Sequence, residues 1–384
     1  MNTQQAIDRV CELAQRHMNT ERILTARKRT GAVLGWQDAD YIPLQFGAKV
    51  PELAELPEYD WREQWYDPAK SFVTQMRAVV SSLAGGGDNI PGVRADTGVI
   101  NGPCLFGAEF DVPTHTKPVV TKYVPKEMLE SFTLPDDIRG LGITQRVVEH
   151  MEHHKAVLAA HGLGGWVSVY HCDTQGPFDI AEQTRGHDLF TDMFECPEFV
   201  HHLMEQATKA YIALSLLCKK IEGEGETRGN AKGCWMEKGG VRLCDDSGIL
   251  LSVKGWEEFV LPYHTKALDR FGGGWIHYCG GVPGGGRAEG LHLHDSYAKI
   301  PCLRGFNFTT GGDWFAEVKK MIDHRVNYIG GLPRGKEEPL ESFFRRVLAL
   351  CPGRKGLILG SGPRTPEEAA GFMDLWHRLQ DEMM

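Results

Sequence analysis

Short apolar runs alternate with longer amphipathic segments along most of the chain. The longer segments repeat apolar residues at three- and four-residue spacing, which is typical of helices that bury one face, and the short runs are typical of buried strands. The predicted strands cover residues 41–44, 93–96, 165–170, 239–243, 275–279, 302–308, 326–329 and 356–360. The predicted helices between and after them cover residues 140–161, 197–222, 254–271, 312–323, 338–350 and 365–382.

This alternation predicts an α/β fold. A strand, a helix and a second parallel strand form a right-handed crossover, and about eight such units close into a (β/α)8 TIM barrel. Residues 1–35 and 68–83 are predicted helices that precede these units. We therefore expect an N-terminal helical extension over residues 1–89, packed on a barrel that covers residues 90–384.

Charge and composition exclude several classes of protein. The 384 residues carry a formal net charge of −9 without a block of like charges, which argues against nucleic-acid binding because phosphates require a basic face. No apolar run reaches the ~20 residues of a membrane span. The first residues lack the basic region and apolar core of a signal peptide. Ten cysteines without a secretory signal predict reduced thiols and a cytoplasmic protein.

The most specific chemical signal lies at the end of the predicted strand 275–279. Side chains alternate along a strand, so His277 and Cys279 share one face. An imidazole nitrogen and a thiolate are both good zinc ligands. Taken singly, His277 is equally well explained as a buried imidazole bonded to the backbone, and Cys279 as a packed thiol. Together they predict a metal site at the mouth of the barrel.

A zinc site needs at least a third protein ligand. Cys302 is the preferred candidate, because it follows the pair along the chain at the start of the next predicted strand. His292 and His294, in the intervening segment, are the next candidates. Cys172 and Cys244 also come just after predicted strands.

Other polar residues fall where predicted strands end, which is where barrel enzymes build their active sites. They are Asp96, Tyr170, His171, Asp173, Asp245, Asp246 and Ser361.

Each of these positions also has a structural explanation. Tyr170 and His171 alternate, so we expect only one of them to face the mouth, and His171 is a candidate proton carrier. One of Asp245 and Asp246 is expected to cap the turn, which leaves the other as a general acid or base. Asp96 is a similar candidate, and a salt bridge to a neighbouring arginine is its alternative.

Residues 280–286, Gly-Gly-Val-Pro-Gly-Gly-Gly, predict a mobile loop over the mouth. A phosphate cradle is the alternative, but it requires a helix to start directly after the loop, and Pro283 interrupts the run.

Several motifs together resemble the uroporphyrinogen decarboxylase superfamily. They are Gly176-Pro177-Phe178, the run Asp245 to Ser252, Trp256 to Tyr263, and Leu359-Gly360-Ser361-Gly362 before Thr365-Pro366. The resemblance extends from about residue 90 to the end of the chain. It implies a (β/α)8 barrel, in agreement with the alternation of strands and helices.

The resemblance to the true decarboxylases fails at their substrate-binding residues. Those enzymes grip the carboxylates of their substrate with an arginine-rich N-terminal segment, whereas residues 41–50 contain no arginine. Asp96 matches the aspartate of that branch. Gln183 stands at its tyrosine position, Asp246 at its serine position and Ser361 at its histidine position. These departures argue against decarboxylation of a porphyrinogen.

His277 and Cys279 instead resemble the His-x-Cys of zinc-dependent methyltransferases in the same superfamily, which move a methyl group from a corrinoid protein to a thiol. Their third ligand is a cysteine at a position that is about Ser361 here. The resemblance implies Zn²⁺ and a corrinoid carried by a separate partner protein, because the usual corrinoid signature Asp-x-His-x-x-Gly is absent from this sequence. A small-molecule methyl donor is the alternative partner, and a homodimer is left open.

The favoured hypothesis is therefore a zinc-dependent methyltransferase that acts between a corrinoid and a thiol or related acceptor. In it, His277, Cys279 and Cys302 bind the metal. The proposed catalytic residues are Asp96, His171 and Asp246, and the proposed cofactor-binding residues are Tyr170, Gln183 and Ser361. A metal-independent decarboxylase or lyase that acts on a small acid is the second hypothesis, and a non-catalytic corrinoid- or tetrapyrrole-binding protein is the third.

Overall fold

Parallel strands with helices between them account for most of the computed structural model, which describes residues 1–280 and 289–384. The strands are β1 (Leu44–Gln45), β2 (Gly92–Arg94), β3 (Glu109–Asp111), β4 (Val119–Lys122), β5 (Ser168–Tyr170), β6 (Gly229–Ala231), β7 (Cys234–Met236), β8 (Arg242–Cys244), β9 (Gly274–Tyr278), β10 (Leu303–Phe308), β11 (Asn327–Gly330) and β12 (Leu357–Gly360). The helices are α1 (Thr3–Arg16), α2 (Thr20–Leu34), α3 (Trp61–Tyr66), α4 (Pro68–Gly85), α5 (Lys126–Leu129), α6 (Thr144–Ala160), α7 (Pro177–Arg185), α8 (Asp188–Glu195), α9 (Pro197–Glu222), α10 (Val253–Phe259), α11 (Leu261–Asp269), α12 (His294–Tyr297), α13 (Trp314–Asp323), α14 (Leu340–Leu348) and α15 (Pro366–Met383).

Eight of these strands run parallel. Six form one sheet in the order β1-β12-β11-β10-β9-β8, and β2 pairs with β5. Where β1 approaches β2, the Asp88 N–H donates to the Leu44 carbonyl at 2.8 Å. Where β5 approaches β8, the Arg242 N–H donates to His171 Nε2 at 3.2 Å. The strands and their helices form a TIM-barrel-like fold, which confirms the predicted α/β barrel.

The N-terminal region is not only helical. Its helix α1 packs on α4 around an apolar cluster that includes Ile7, Val10 and Phe72. Strand β1 also lies in the range 1–89, and its Leu44 pairs with Leu359 of β12 in parallel register. The N-terminal region therefore supplies one strand to the sheet in addition to its helices.

Helices lie within each predicted helical range, and the structure adds helices that were not predicted, among them α7 and α8. Residues 254–271 form two helices, α10 and α11, instead of one. Pro262 lies in the first turn of α11, and proline cannot donate the backbone hydrogen bond that would continue α10. None of the helices in the two described ranges is both long enough and apolar enough to cross a membrane.

An antiparallel hairpin, β6–β7, fills the space between the strands. Its Ala231 and Cys234 pack against Trp275, Ile329 and Ile358, which come from β9, β11 and β12. The periodicity did not predict this hairpin, because its strands are only three residues long and include glycine and asparagine.

The turn of this hairpin lies toward the carboxyl ends of the parallel strands. Gln45, at the carboxyl end of β1, donates from Nε2 to the Gly233 carbonyl at 2.7 Å. The hairpin therefore lies near the carboxyl ends of the strands, where barrel enzymes carry their active sites.

Candidate functional site

Three potential metal ligands converge at the carboxyl ends of β8 and β9. One ligand atom from each of Asp246, His277 and Cys279 lies within 4.8 Å of those of the other two. Among the described residues this is the one such group of three or more histidine, cysteine or acidic side chains. His277 and Cys279 were predicted as ligands, and Asp246 was predicted as an acid or base instead.

The register of the two strands explains why these residues meet. Arg242 pairs with Trp275 and Cys244 pairs with His277. Continuing the same register places Asp246 beside Cys279, and the Cys279 N–H donates to Asp246 Oδ1 at 2.6 Å. Side chains two residues apart share a face, so Arg242, Cys244 and Asp246 form one row next to the row that carries His277 and Cys279.

A neighbouring asparagine fixes the orientation of the imidazole. Asn307 Nδ2 donates to the Ile329 carbonyl at 2.5 Å, which turns its Oδ1 toward His277 Nδ1, also at 2.5 Å. His277 Nδ1 must therefore carry the proton, and Nε2 presents its lone pair to Cys279 Sγ at 3.0 Å. Metal-binding histidines are oriented by this kind of second hydrogen bond.

Burial shifts the pKa values of His277 and Asp246 in opposite directions. It lowers the pKa of His277 to about 3, and the charges of Arg242 and Lys232 act in the same direction. It raises the pKa of Asp246, although the hydrogen bond from the Cys279 N–H opposes the shift. The imidazole is therefore neutral at pH 7, as a metal ligand must be. A bound cation would favour the ionised form of Asp246.

Helix α7 holds the turn that carries Asp246 through two hydrogen bonds. The N–H groups of Asp246 and Ser247 donate to the two carboxylate oxygens of Asp179, at 2.9 and 2.8 Å. The adjacent Asp245 faces the opposite way and accepts hydrogen bonds from buried Trp256 and Tyr297. Asp245 is thus structural, and Asp246 reaches the mouth.

A charged floor, which we define as Arg94, Asp96, Asp173 and Arg242, lies beside the metal-ligand group. Asp173 contacts Arg94 at 3.3 Å and Arg242 at 3.5 Å, and Asp96 contacts Arg94 at 3.1 Å. Lys117 also binds Asp96, at 3.0 Å. Burial alone would raise the pKa of Asp173, but the neighbouring cations, with Arg242 the strongest, lower it. Asp96 is therefore a salt-bridge partner, the alternative weighed against its role as an acid or base.

Tyr170 and His171 face opposite sides of β5. Tyr170 lies among the charged floor, where burial raises the pKa of its phenol and Arg94 opposes the shift. His171 is buried and accepts the Arg242 N–H, and burial lowers its pKa to about 4. The structure thus places His171 between β5 and β8, away from the mouth, where it links two strands. This position contradicts the predicted role of His171 as a proton carrier.

Cys302 lies at the wrong end of the sheet to bind the same ion. It precedes β10, its carbonyl accepts the Gly274 N–H, and its Sγ contacts the Thr265 carbonyl at 3.9 Å. Gly274 begins β9 and Cys279 follows its last residue, so about 16 Å of strand separates the two ends. The expectation that Cys302 completes the metal site is therefore wrong, and Asp246 takes its place in the group.

The two alternative histidines are bound elsewhere. His294 is buried and contacts the Tyr278 hydroxyl and Glu317, both at 2.7 Å. His292 Nε2 lies 2.8 Å from the Leu251 carbonyl, to which it is placed to donate. Neither histidine belongs to the metal-ligand group.

The remaining cysteine candidates are buried. Cys172 Sγ lies 3.9 Å from Cys218 Sγ. Cys244 Sγ contacts Asp173 at 3.7 Å, in the row beneath Asp246, and burial raises its pKa well above the usual value.

Gln183 and Ser361 occupy positions that the family resemblance singled out. Gln183 lies in α7, and its Oε1 is buried without a hydrogen-bond partner among the described residues. Ser361 follows β12, and its Oγ accepts a hydrogen bond from Arg364 at 2.8 Å. The glycine-rich segment predicted as a mobile loop or phosphate cradle lies, apart from Gly280, outside the described residues.

Four residues of this site were not predicted: Asn307, Arg242, Lys232 and Asp179. Asn307 and Arg242 both alternate with apolar residues inside predicted strands or at their ends, which marks them as polar groups on an otherwise buried face. Their relation to His277 depends on the register between strands, which one sequence does not give.

Comparison with known proteins gives two similarities. No protein-family model matches the chain. A curated uroporphyrinogen decarboxylase from Geobacter sulfurreducens is 30% identical over 158 residues, which cover 37% of this chain and 42% of that protein. The chain thus aligns with less than half the length of that relative. A solved methyltransferase from Methanosarcina mazei superposes with a TM-score of 0.65 at 16% identity, and the match covers 92% of this chain and 98% of the methyltransferase.

Proposed function

With the uroporphyrinogen decarboxylase-like superfamily supported by the curated relative and by the fold, we propose that this protein is a zinc-dependent methyltransferase. The observation that carries the proposal is the convergence of Asp246, His277 and Cys279 within 4.8 Å. The superposed protein is a methyltransferase, and its fold agrees with this reading. The proposed donor is a corrinoid on a separate protein, and the proposed acceptor is a thiol or a related nucleophile.

The three side chains suit zinc in number and kind. Carboxylate oxygen, imidazole nitrogen and thiolate sulfur are all zinc ligands, and three protein ligands leave a position for substrate. His277 meets the requirement for a neutral imidazole, and Asn307 holds its free nitrogen toward Cys279. When bound, zinc deprotonates a coordinated thiol at neutral pH and so makes it nucleophilic.

The chain's own residues supply the positioning in this proposal. Asp179 fixes the backbone of the Asp246 turn through two hydrogen bonds. Asp246 in turn accepts the Cys279 backbone N–H, which holds the carboxylate beside the residue that carries the thiol. Such orienting bonds matter because a ligand set that is loosely held binds metal more weakly.

Metal analysis of purified protein tests the proposal. The wild type, purified without chelator, should hold about one zinc ion per chain, and Cys279→Ser should lose most of it because it removes the thiolate ligand. Asp246→Asn should weaken binding, and Cys302→Ser is the matched cysteine control that should keep full occupancy. Zinc occupancy that is equal in wild type and Cys279→Ser would refute the metal site.

Activity is tested with methylcobalamin as a free stand-in for the corrinoid protein. Wild type should transfer its methyl group to a small thiol, followed by the change in corrinoid absorbance, and a chelator should abolish the transfer. A pigment that co-purifies without any turnover would instead favour a corrinoid-binding protein.

A metal-independent decarboxylase or lyase for a small acid is the second candidate. The raised pKa of Asp246 favours it, because a carboxyl group that binds its proton more tightly than usual is better suited to act as a general acid. The charged floor offers arginines to an acid substrate. Release of carbon dioxide that is insensitive to chelators would favour this function over methyl transfer.

A further inference from the structure

The turn of the β6–β7 hairpin holds an unusual residue. Lys232 and Gly233 connect the two strands, with φ angles of +50° and +85°. This left-handed backbone suits glycine or asparagine, and side chains such as lysine adopt it uncommonly. The backbone conformation of the turn therefore does not explain why its first residue is a lysine. The explanation must lie in the interactions of the Lys232 side chain.

The surroundings of Lys232 carry an excess of positive charge. The charge of Arg242 lowers the pKa of Lys232 most, partial desolvation and the charge of Arg94 add to the effect, and the pKa falls to about 8. Its own charge acts on Asp173 and on His277. The carboxylates of this region are already paired, since Asp173 contacts both arginines and Asp96 contacts Arg94 and Lys117.

Lys232 itself has no hydrogen bond or ion pair with any of the described residues, and it is exposed. Arg242 is buried, and its Nε has no partner among these residues either. Arg94, Lys117 and Arg242 thus share Asp96 and Asp173, and Lys232 adds a fourth positive charge without a carboxylate in contact in the described part of the chain. An ammonium group in such a place is stabilised by a bound anion.

We propose that Lys232 and Arg242 bind an oxyanion of the substrate, a carboxylate or a phosphate, below the metal-ligand group. Arg242 lies two residues before Cys244, which pairs with His277. Two residues of strand span about 7 Å. The substrate is therefore a small molecule with its anionic group a short chain away from the atom that reacts at the metal. This inference rests on the proposed function for the identity of the reacting atom.

Binding of inorganic phosphate and of acetate, measured by calorimetry on the full chain, tests the anion site and distinguishes the two oxyanions. Lys232→Asn removes the charge and keeps a residue that suits the turn, so the hairpin is preserved. It should weaken binding of the preferred anion about tenfold, the effect of one lost charge-assisted hydrogen bond. Lys232→Arg should restore binding.

Lys238→Gln is the matched control, since Lys238 is exposed just after β7. It should change the affinity by less than about twofold, as expected for an exposed charge outside the site. Equal affinities of wild type and Lys232→Asn, or saturable binding of neither anion, would overturn the anion site.

Repeating the titrations with chelated and zinc-loaded protein separates this inference from the proposed function. Lys232-dependent binding in a protein that takes up no zinc would refute the metal site and support the anion site. A protein that binds zinc and neither anion would refute the anion site alone. In the active enzyme, Lys232→Asn should raise KM for the substrate more than it lowers kcat, because the lysine contacts a part of the substrate that does not react.

Discussion

Asp173 and Asp246 are both partly buried at the carboxyl ends of neighbouring strands, yet their surroundings shift their pKa values in opposite directions. Asp173 lies between Arg94 and Arg242, and these cations lower its pKa in spite of its burial. Asp246 accepts a hydrogen bond from the Cys279 backbone N–H, and burial raises its pKa in spite of this bond. Burial alone therefore does not decide whether a carboxylate is ionised. Asp173 is the counter-ion of Arg94 and Arg242. The carboxylate of Asp246 has no such partner within the two described ranges, and a cation bound beside it would lower its raised pKa.

The largest test of this comparison removes the counter-ion. Asp173→Asn leaves Arg94 and Arg242 buried without their shared carboxylate, and a buried ion left unpaired destabilises a protein by about 3–5 kcal/mol. Chemical denaturation should show this loss. Asp111→Asn is the control, since Asp111 and Arg62 form an exposed pair 3.8 Å apart that should contribute little. Similar small changes in both variants would mean that Asp173 is not a counter-ion.

The second test concerns the metal-ligand group to which Asp246 belongs. Asn307→Leu has a similar size but cannot accept the His277 N–H or hold the Ile329 carbonyl. Loss of such an orienting residue lowers metal affinity about 10- to 100-fold, which competition with a chromophoric chelator measures. Cys302→Ser should leave zinc affinity unchanged because Cys302 lies at the other end of the sheet. Unchanged affinity in Asn307→Leu would show that the ring is oriented by other contacts.

The smallest effect concerns pH in metal-free protein. A raised pKa means that folded Asp246 binds its proton more tightly than the unfolded chain does. Stability therefore falls as pH rises from the unfolded pKa, near 3.8, to the higher folded pKa. The slope is at most about 1.4 kcal/mol per pH unit for one proton. Asp246→Asn should remove this fall, so that its free energy of unfolding rises relative to wild type across that interval.

The contribution of Asp173 has the opposite sign. Its lowered pKa stabilises the folded protein above pH 3.8, and this stability is lost as pH falls below that value. Denaturation curves of wild type and Asp246→Asn between pH 4 and pH 7 check the comparison. If the free energy of unfolding of Asp246→Asn changed with pH in the same way as that of wild type, the raised pKa of Asp246 would be contradicted.

Local periodicity was enough to predict the barrel and to place His277 and Cys279 on one face. It also separated Asp245 from Asp246 and Tyr170 from His171, because neighbours on a strand face opposite ways. Strand direction could have excluded Cys302, since a residue at the start of a parallel strand lies far from one at the end of its neighbour. Proximity along the chain was a poor guide there.

The rest depends on contacts between distant segments. Asn307 meets His277 only through the register of β9 and β10. Asp179 reaches the Asp246 turn from a helix 67 residues earlier in the chain. Lys232 was missed because the short strands of its hairpin lack a recognisable pattern, and their burial comes from the surrounding barrel.

That inserted hairpin separates two tasks that a barrel wall usually performs together. The parallel strands carry the ligand atoms, and any shift in them would disturb their ladder. The hairpin turn beside them, Lys232 and Gly233, belongs to a separate two-stranded sheet and takes no part in that ladder. Substitutions at its tip can therefore retune which molecules fit while the reactive centre above stays intact, so relatives with the same ligands are free to differ in what they accept.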